Sequence, residues 1–170
     1  MTNYNHIFKL NHEIYADHQR WMKYALFLAQ KAQEAGEVPV GAVIINDKGE
    51  LIAQAENRKQ KNQDPTAHAE ILAIALASKK LQRCYLNDCT LYVTLEPCPM
   101  CTGAILHARI GLLVYGADDP KTGAIHTVMN IPDSPCSNHS LKVLGGIMGQ
   151  ACSDQLKRWF QRVRGLWFVV

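Results

Sequence analysis

Two short segments of the chain contain the residue types that hold a catalytic metal ion. Residues 65–70 read PTAHAE and include His68, and residues 94–101 read TLEPCPMC and include Cys98 and Cys101. Zinc prefers four ligands in a tetrahedron, and imidazole and thiolate are among its preferred donors. Because these three side chains leave one position for water, the pattern predicts a catalytic zinc site rather than a closed structural one.

Glu70 adds a group that can move protons. In an ideal helix, a spacing of two residues places His68 and Glu70 on roughly opposite faces, so we expect the site to lie beyond the end of the helix. A carboxylate that reaches in beside the water can take a proton and deliver it to a substrate without binding the metal. Zinc assists because it lowers the pKa of bound water to about 7.

The combination of the two segments is more specific than either segment. A Cys-x-x-Cys pair alone would leave a structural zinc site or a chance arrangement as alternatives. The order His-x-Glu and then Pro-Cys-x-x-Cys resembles the signature of zinc nucleobase deaminases. Both segments also stand where proline residues indicate the start of a helix, and the unpaired amides of a helix start favour anionic thiolates.

The hydrophobic pattern predicts the elements that position these segments. We expect an α/β fold with a mixed sheet, because strands are followed by helices along the chain. Helices are predicted over 17–35 with Asp17 as its cap, 65–80, 97–107 and 150–163, and strands over 40–45, 51–55, 90–95, 112–115 and 142–144. Residues 57–64 read as a polar loop, and 117–140 read as irregular apart from a helical turn over 127–130.

Composition and charge limit the classes of function. With 170 residues, of which 48% are apolar, the chain has room for one sizeable core. The sequence shows no signal peptide and no membrane span, and its Cys-x-x-Cys pair suits a reduced compartment. We therefore expect a cytoplasmic protein or one of an organelle stroma. Residues 142–170 contain five basic residues and one acidic residue, a net +4, against −1 for the remainder. Positive charge therefore concentrates at the C-terminal end.

The chain resembles the bacterial and organellar tRNA-specific adenosine deaminases over about 21–164. The segments that carry the resemblance are EVPVGA at 37–42, NR at 57–58, PTAHAE at 65–70, LYVTLEPC at 91–98, YGADDPKTG at 115–123 and NH at 138–139. The resemblance implies the three-layer cytidine-deaminase fold, with a central mixed sheet of about five strands between helices. It also implies one zinc ion per subunit on the three ligands named above, with Glu70 as the proton shuttle.

The resemblance further implies roles in binding the substrate. Asn57 matches a residue that hydrogen-bonds the flipped nucleoside, and Val40 matches part of the wall of the base pocket. Asn57 as a simple turn cap remains an alternative. The predicted domains are an N-terminal extension, 1–15, and one zinc deaminase domain, 16–170.

Two further groups of residues match regions that lie beside RNA in the family. Asp119 and Lys121 fall on a loop next to the RNA backbone, although both could be ordinary turn residues. Trp159, Phe160 and Arg164 fall on the C-terminal helix, which helps to hold neighbouring nucleotides. Since Trp159 and Phe160 are adjacent, we expect one to be in the core and one exposed for stacking on bases, with a solvated amphipathic helix as the alternative.

The resulting hypothesis is hydrolytic deamination of the wobble adenosine in a tRNA anticodon loop, by a homodimer with a partly shared RNA groove. The alternatives are a deaminase of a free base or nucleoside such as guanine or cytosine, and a noncatalytic, zinc-stabilised RNA-binding module. Pro99 is also common in free-base deaminases, so it does not favour tRNA. The segment GAIHT at 123–127 departs from the small-residue run expected after the Lys-Thr-Gly loop.

Overall fold

Five helices and five strands make up the part of the chain that the structure describes. The structure is a computed structural model, and it describes residues 12–167, with side chains over 14–163. The helices are α1 (His12–Glu34), α2 (Lys59–Asn62), α3 (Ala69–Leu81), α4 (Pro99–His107) and α5 (Gly149–Trp167). The strands are β1 (Gly41–Ile45), β2 (Leu51–Glu56), β3 (Thr90–Leu95), β4 (Leu112–Ala117) and β5 (Lys142–Leu144).

The strands form one mixed sheet with the order β2-β1-β3-β4-β5. Strand β1 pairs antiparallel with β2 and β3, whereas β3 and β4 are parallel, as are β4 and β5. Parallel neighbours need a crossover connection, which α4 supplies between β3 and β4. Because Leu95 pairs with Ala117, the segment after β3 and the loop after β4 start at the same edge of the sheet.

Helices cover both faces of the sheet. On one face Ala73 of α3 and Ile105 of α4 pack with Ile44, and on the other Leu28 of α1 and Cys152 of α5 pack with Val43. Ile44 and Val43 are neighbours in β1 whose side chains point to opposite faces. Strand β1 is buried along its whole length, as expected for a strand covered on both sides. The predicted three-layer α/β fold with a five-stranded mixed sheet is confirmed.

Two predicted helix starts are wrong. Helix α1 already includes His12, so Asp17 lies inside it; residues 12–16 contain no proline or glycine that would stop a helix. Residues 12–15 of the predicted extension are therefore helical, and 1–11 lie outside the described residues. Pro65 does not begin α3, because Asp64 holds a turn in which its Oδ1 accepts the Thr66 amide at 2.8 Å. Helix α3 begins at Ala69.

Two smaller differences concern the loops. The predicted polar loop contains the short helix α2, and the turn predicted over 127–130 lies over 124–127. None of the helices over residues 12–167 combines the length and the apolar character that crossing a membrane requires.

Candidate active site

The three predicted zinc ligands meet at the N-termini of two helices. His68 is the N-cap of α3 and Cys98 is the N-cap of α4, both with extended backbone conformation, while Cys101 lies in the first turn of α4. The ligand atoms all lie within 4.8 Å of one another. Because His68 stands outside the helix, the ideal-helix spacing does not separate it from Glu70, and both residues reach the same site.

The spacing of the three donors fits a zinc ion. His68 Nδ1 lies 3.8 Å from Cys98 Sγ and 3.5 Å from Cys101 Sγ. A tetrahedral zinc ion bonds nitrogen at about 2.0 Å and sulfur at about 2.3 Å, which places such donors about 3.5 Å apart. Both the donor types and their distances therefore suit zinc.

The electrostatics of the site favour a thiolate at Cys98. Hydrogen bonds from the Cys101 thiol, from His68 and from the Cys101 amide lower the pKa of Cys98 to about 4, against the opposing effect of burial. The hydrogen bond to Cys98 raises the pKa of His68, and the hydrogen bond with Cys98 together with burial raises the pKa of Cys101. Metal binding requires a neutral imidazole and deprotonated thiols, so an ion that binds between these donors displaces any proton they carry.

Glu70 lies in the first turn of α3 and is 4% exposed. Its carboxyl group is close enough to His68 and to the side chain of Cys101 to interact with both. Burial raises the pKa of Glu70, although its own backbone amide and His68 oppose this shift. A carboxyl group that exchanges its proton closer to neutral pH suits a residue that must first accept a proton and then donate it.

Asn57 lies beside the segment that contains His68. The amide of Asn57 donates to the carbonyl of Val40 at 3.0 Å, and the next amide, that of Arg58, donates to the carbonyl of Ala67 at 3.0 Å. Asn57 is 4% exposed, and its side chain makes no hydrogen bond to any other residue in the described part of the chain. The geometry therefore does not support its alternative role as a turn cap. Val40 is buried in the core on the α3 face of the sheet.

Glu96 is a residue of this region to which the sequence reasoning assigned no role. Its side chain is fully buried, and Oε1 accepts the amides of Ile125, His126 and Thr127 at 2.9–3.1 Å. Its Oε2 accepts the Asp119 amide at 3.1 Å and the Thr127 hydroxyl. Burial alone would raise the pKa of Glu96, but these hydrogen bonds outweigh burial and lower it. The signal in the sequence was an acidic residue directly after a buried strand.

The side chain of Asp119 is used by its own loop. Its Oδ1 accepts the amides of Lys121 and Thr122 at 2.9 and 3.1 Å, and its Oδ2 accepts the Thr122 hydroxyl at 2.7 Å. This arrangement supports the alternative that Asp119 is a turn residue. Lys121 is exposed on the same turn.

Three of the predicted RNA contacts line one groove of about 640 Å³ between this loop and α5. These are Asp119, Lys121 and Phe160, and Leu95 at the end of β3 forms part of the floor. Phe160 is 44% exposed, whereas Trp159 is half-buried and meets it edge to face, with ring centroids 4.9 Å apart. The side chain of Arg164 lies outside the described residues.

The other histidines near this region do not join the metal group. His139 Nε2 donates to the carbonyl of Ile110 at 2.7 Å, and His107 is exposed at the end of α4. His126 lies 3.8 Å from Glu96 and 3.7 Å from Asp118. Of these two carboxylates, that of Glu96 already accepts five hydrogen-bond donors and is not available to a cation.

Comparisons with known proteins agree with this geometry. A model of the MafB19-like deaminase family matches residues 16–152. The tRNA-specific adenosine deaminase of Haemophilus influenzae is 48% identical over 146 residues, which cover 86% of this chain and 84% of the relative. That of Bacillus subtilis is 44% identical over 144 residues, which cover 85% of this chain and 89% of the relative.

Solved structures give the same family. A structure from studies of A-to-I editing by tRNA:A34 deaminases at the wobble position has a TM-score of 0.78 and 42% identity, covering 80% of this chain and 98% of that chain. The guanine deaminase from Nitrosomonas europaea has a TM-score of 0.70 and 28% identity, covering 83% of each chain. Because it is 44–48% identical to tRNA-specific adenosine deaminases over most of its length, the chain belongs to that family.

Proposed function

We propose that this protein hydrolyses adenosine to inosine at the wobble position of tRNA. The observation that carries the proposal is the buried carboxyl group of Glu70 beside the group formed by His68, Cys98 and Cys101. Relatives with 44–48% identity, named for the deamination of adenosine in tRNA, specify the substrate for this machinery. Water and adenosine give inosine and ammonia.

The chain's own residues supply the metal ligands and the proton transfers. His68, Cys98 and Cys101 would hold one zinc ion per subunit, which acts as a Lewis acid that activates water near neutral pH. Glu70 accepts a proton from the attacking water and passes it to a ring nitrogen of adenine. Glu70 then takes the remaining proton of the added hydroxyl group and delivers it to the leaving amine, so that ammonia departs and a carbonyl remains.

The substrate is an anticodon loop rather than a duplex. A wobble adenosine in a loop is already single-stranded, so moving it into a pocket requires less unstacking. In our proposal Val40 forms part of the pocket wall. The side-chain amide of Asn57, unlike its backbone amide, has no partner in the described part of the chain and hydrogen-bonds the nucleoside.

Neighbouring nucleotides would lie in the groove between the loop after β4 and α5. Phe160 offers an exposed ring on which a base can stack, and Lys121 offers a positive charge for a phosphate. Asp119 holds the turn that contains Lys121. Trp159 supports the ring of Phe160 from the half-buried side, and we keep Arg164 as a predicted RNA contact.

Deamination of a free base is the second candidate. The observation that favours it is the similarity to the guanine deaminase from Nitrosomonas europaea at 28% identity. The identity to tRNA-specific relatives is considerably higher, which makes tRNA the better-supported substrate. A noncatalytic RNA-binding module would need neither a buried carboxyl group nor a metal site with three protein ligands instead of the four of a structural zinc site.

We further propose that residues 16–170 form one catalytic domain that works as a homodimer in the cytoplasm or an organelle stroma. The match of the family model over 16–152, and the packing of α5 onto the same sheet, support one domain. Exposed Leu76 on α3 and Met100 on α4 are candidates for a dimer contact. Leu106 on α4 is 6% exposed and therefore packs in the chain's own interior.

One assay separates these candidates. The purified protein is incubated with an anticodon stem-loop that bears a wobble adenosine and, in parallel, with free guanine and free cytosine. Nucleoside analysis should show inosine in the stem-loop and no loss of amine from the free bases. Turnover of guanine alone would establish the second candidate, and no turnover of any substrate by zinc-loaded protein would favour the binding module.

A further inference from the structure

The loop over residues 118–127 has open space on both sides. One side faces the groove that Lys121 and Phe160 line, and the other faces a second cleft of about 640 Å³, lined among others by Tyr115 and His126. Ala124 and Ile125 of this loop are buried in the core, whereas residues 118–122 are mostly exposed. An exposed segment opens easily unless polar contacts hold it, so the position of residues 118–122 depends on the hydrogen bonds at the base of the loop.

Those hydrogen bonds converge on the segment that leads into the metal ligands. Glu96 and Pro97 stand between β3 and Cys98, and the Pro97 carbonyl accepts the Ala124 amide at 2.9 Å. The Glu96 carboxylate accepts five donors, from Asp119 at the start of the loop to Thr127 at its end. Hydrogen bonds from neutral donors to a buried carboxylate are stronger than hydrogen bonds between two neutral groups. The contact between Glu96 and the loop is therefore strongly held.

The loop backbone rests directly on the carboxylate. A Cβ atom built at Gly123 would stand 2.2 Å from Glu96 Oε2, so only glycine allows this approach. At the other end, the amide of Asp119 is fixed by Glu96, and the carboxylate of Asp119 in turn fixes the amide of Lys121. A continuous chain of hydrogen bonds thus runs from the metal-ligand segment to the exposed lysine.

We propose that Glu96 is a positioning residue that fixes the RNA-facing loop, residues 118–127, at a set distance from Cys98 and Cys101. Its role is to place Lys121 so that a phosphate of the substrate is held while the reacting base reaches the metal site. This inference rests on the proposed function, because it assigns the loop to RNA. Glu96 itself touches no substrate.

The first test is the variant Glu96→Gln, assayed on the anticodon stem-loop. The new amide group presents N–H toward the Asp119 amide in place of Oε2, so the link to the loop is lost while the shape of the side chain is kept. We expect KM to rise about tenfold and kcat to change less than about threefold, because the loop contributes to binding the RNA rather than to the proton transfers. Zinc per chain, measured by elemental analysis, should equal that of the parent.

A double-mutant cycle shows whether Glu96 acts through Lys121. Lys121→Ala should raise the KM of the parent about five- to tenfold, but should add less than about twofold in the Glu96→Gln background. Ile110→Val, a core change at the opposite end of β4, serves as the control for lost stability. It should leave the effect of Lys121→Ala at its parental size.

The outcomes are distinct. If the parent protein forms no inosine in the stem-loop, the proposed function fails before this inference is reached. If the parent is active and the effects of Glu96→Gln and Lys121→Ala simply multiply, or if Glu96→Gln lowers kcat and zinc content instead of raising KM, the positioning role is overturned. A rise in KM with strong coupling to Lys121 establishes it.

Discussion

At the scale of single residues, the site depends on two positions that lie just outside helices. His68 and Cys98 are N-caps with extended backbone conformation, and Cys101 and Glu70 follow in the first turns. A helix start leaves amides unpaired and places the positive end of the dipole at the ligands, which stabilises negative charge. The proline-containing segments matter because they end one element and begin the next within a few residues.

Replacing Glu70 should separate chemistry from metal binding. Glu70→Gln keeps the size of the side chain but removes its ability to accept and return a proton. We expect kcat on the anticodon stem-loop to fall at least about 100-fold, with zinc content unchanged. Elemental analysis and single-turnover assays of parent and variant provide the measurement.

The matched control for this prediction is Glu50→Gln, an exposed carboxylate in the β1–β2 hairpin. It should behave as the parent in both assays. If Glu70→Gln lost its zinc together with its activity, Glu70 would be a ligand and the proposed proton transfers would be wrong.

At the scale of elements, the sequence predicted the sheet better than the helix starts. Strand β3 was predicted at its observed bounds, because alternating Thr and Tyr with Leu and Val has few other interpretations. The start of α3 was placed at Pro65, because proline is favoured in a first turn; the side chain of Asp64 forms a turn there instead. Local competition between a side chain and a helical amide is invisible to hydrophobic periodicity.

In the candidate site, too, some residues could be predicted from the sequence and others could not. The metal ligands and Glu70 could be predicted together because their chemistry fixes residue type and spacing. The role of Glu96 could not, since it depends on five donors that lie 23 to 31 residues further along the chain. Only the parallel pairing of β3 with β4 brings that loop next to Glu96.

The contact between α1 and the sheet predicts a strong effect of one methyl group. A Cβ atom at Gly41 would stand 2.1 Å from the Ala25 carbonyl oxygen and 2.7 Å from the Ala29 nitrogen, both backbone atoms of α1. Gly41→Ala should therefore lower the free energy of unfolding by about 1–3 kcal/mol.

Urea denaturation measures this loss, and Gly103→Ala is the control. Gly103 lies within α4 with no atom near its missing Cβ, so alanine there should leave stability unchanged or raise it by up to about 1 kcal/mol. Equal unfolding midpoints for the two variants would show that α1 does not approach the sheet this closely.

The same helix contains a buried histidine that makes stability depend on pH. His18 is 8% exposed, and its Nδ1 lies 2.9 Å from the hydroxyl of Tyr92 in β3. Burial lowers the pKa of His18 below its ordinary 6.5, although the charge of Asp17 opposes this shift. The unfolded chain therefore binds a proton more readily than the folded one, and stability should fall as pH drops below about 6.5.

His18→Asn isolates this contribution, because its amide can bond Tyr92 but does not titrate. We expect the difference in unfolding free energy between parent and variant to shrink or reverse between pH 7.5 and pH 5.5, as measured by urea denaturation at each pH. Taking the difference removes the pH dependence of the metal site, which both proteins share. A constant difference across this range would contradict the burial of a neutral His18.

At the scale of the whole molecule, charge and topology lead us to expect RNA at one edge of the sheet. The carboxyl ends of β3 and β4 lie at this edge, together with the metal ligands, the RNA-facing loop and the groove along α5. The β1–β2 turn lies at the opposite edge, because β1 runs antiparallel to β3. On α5, the basic side chains of Lys157, Arg158 and Arg162 outnumber the acidic one of Asp154, which adds an attractive field on that side.

This asymmetry predicts which lysines and arginines determine the salt dependence of binding. Lys157 and Arg158 are exposed on α5, and Lys157 lines the groove. Replacing both by alanine should lower the magnitude of the slope of log affinity against log salt by about 1.4, about 0.7 for each charge, because fewer counterions are released from the RNA. Titrations of a labelled anticodon stem-loop at several salt concentrations measure the slope. Lys48→Ala, on the β1–β2 turn, removes the same kind of charge from the opposite edge and should leave the slope unchanged; equal slopes for all three proteins would mean that RNA does not approach along α5.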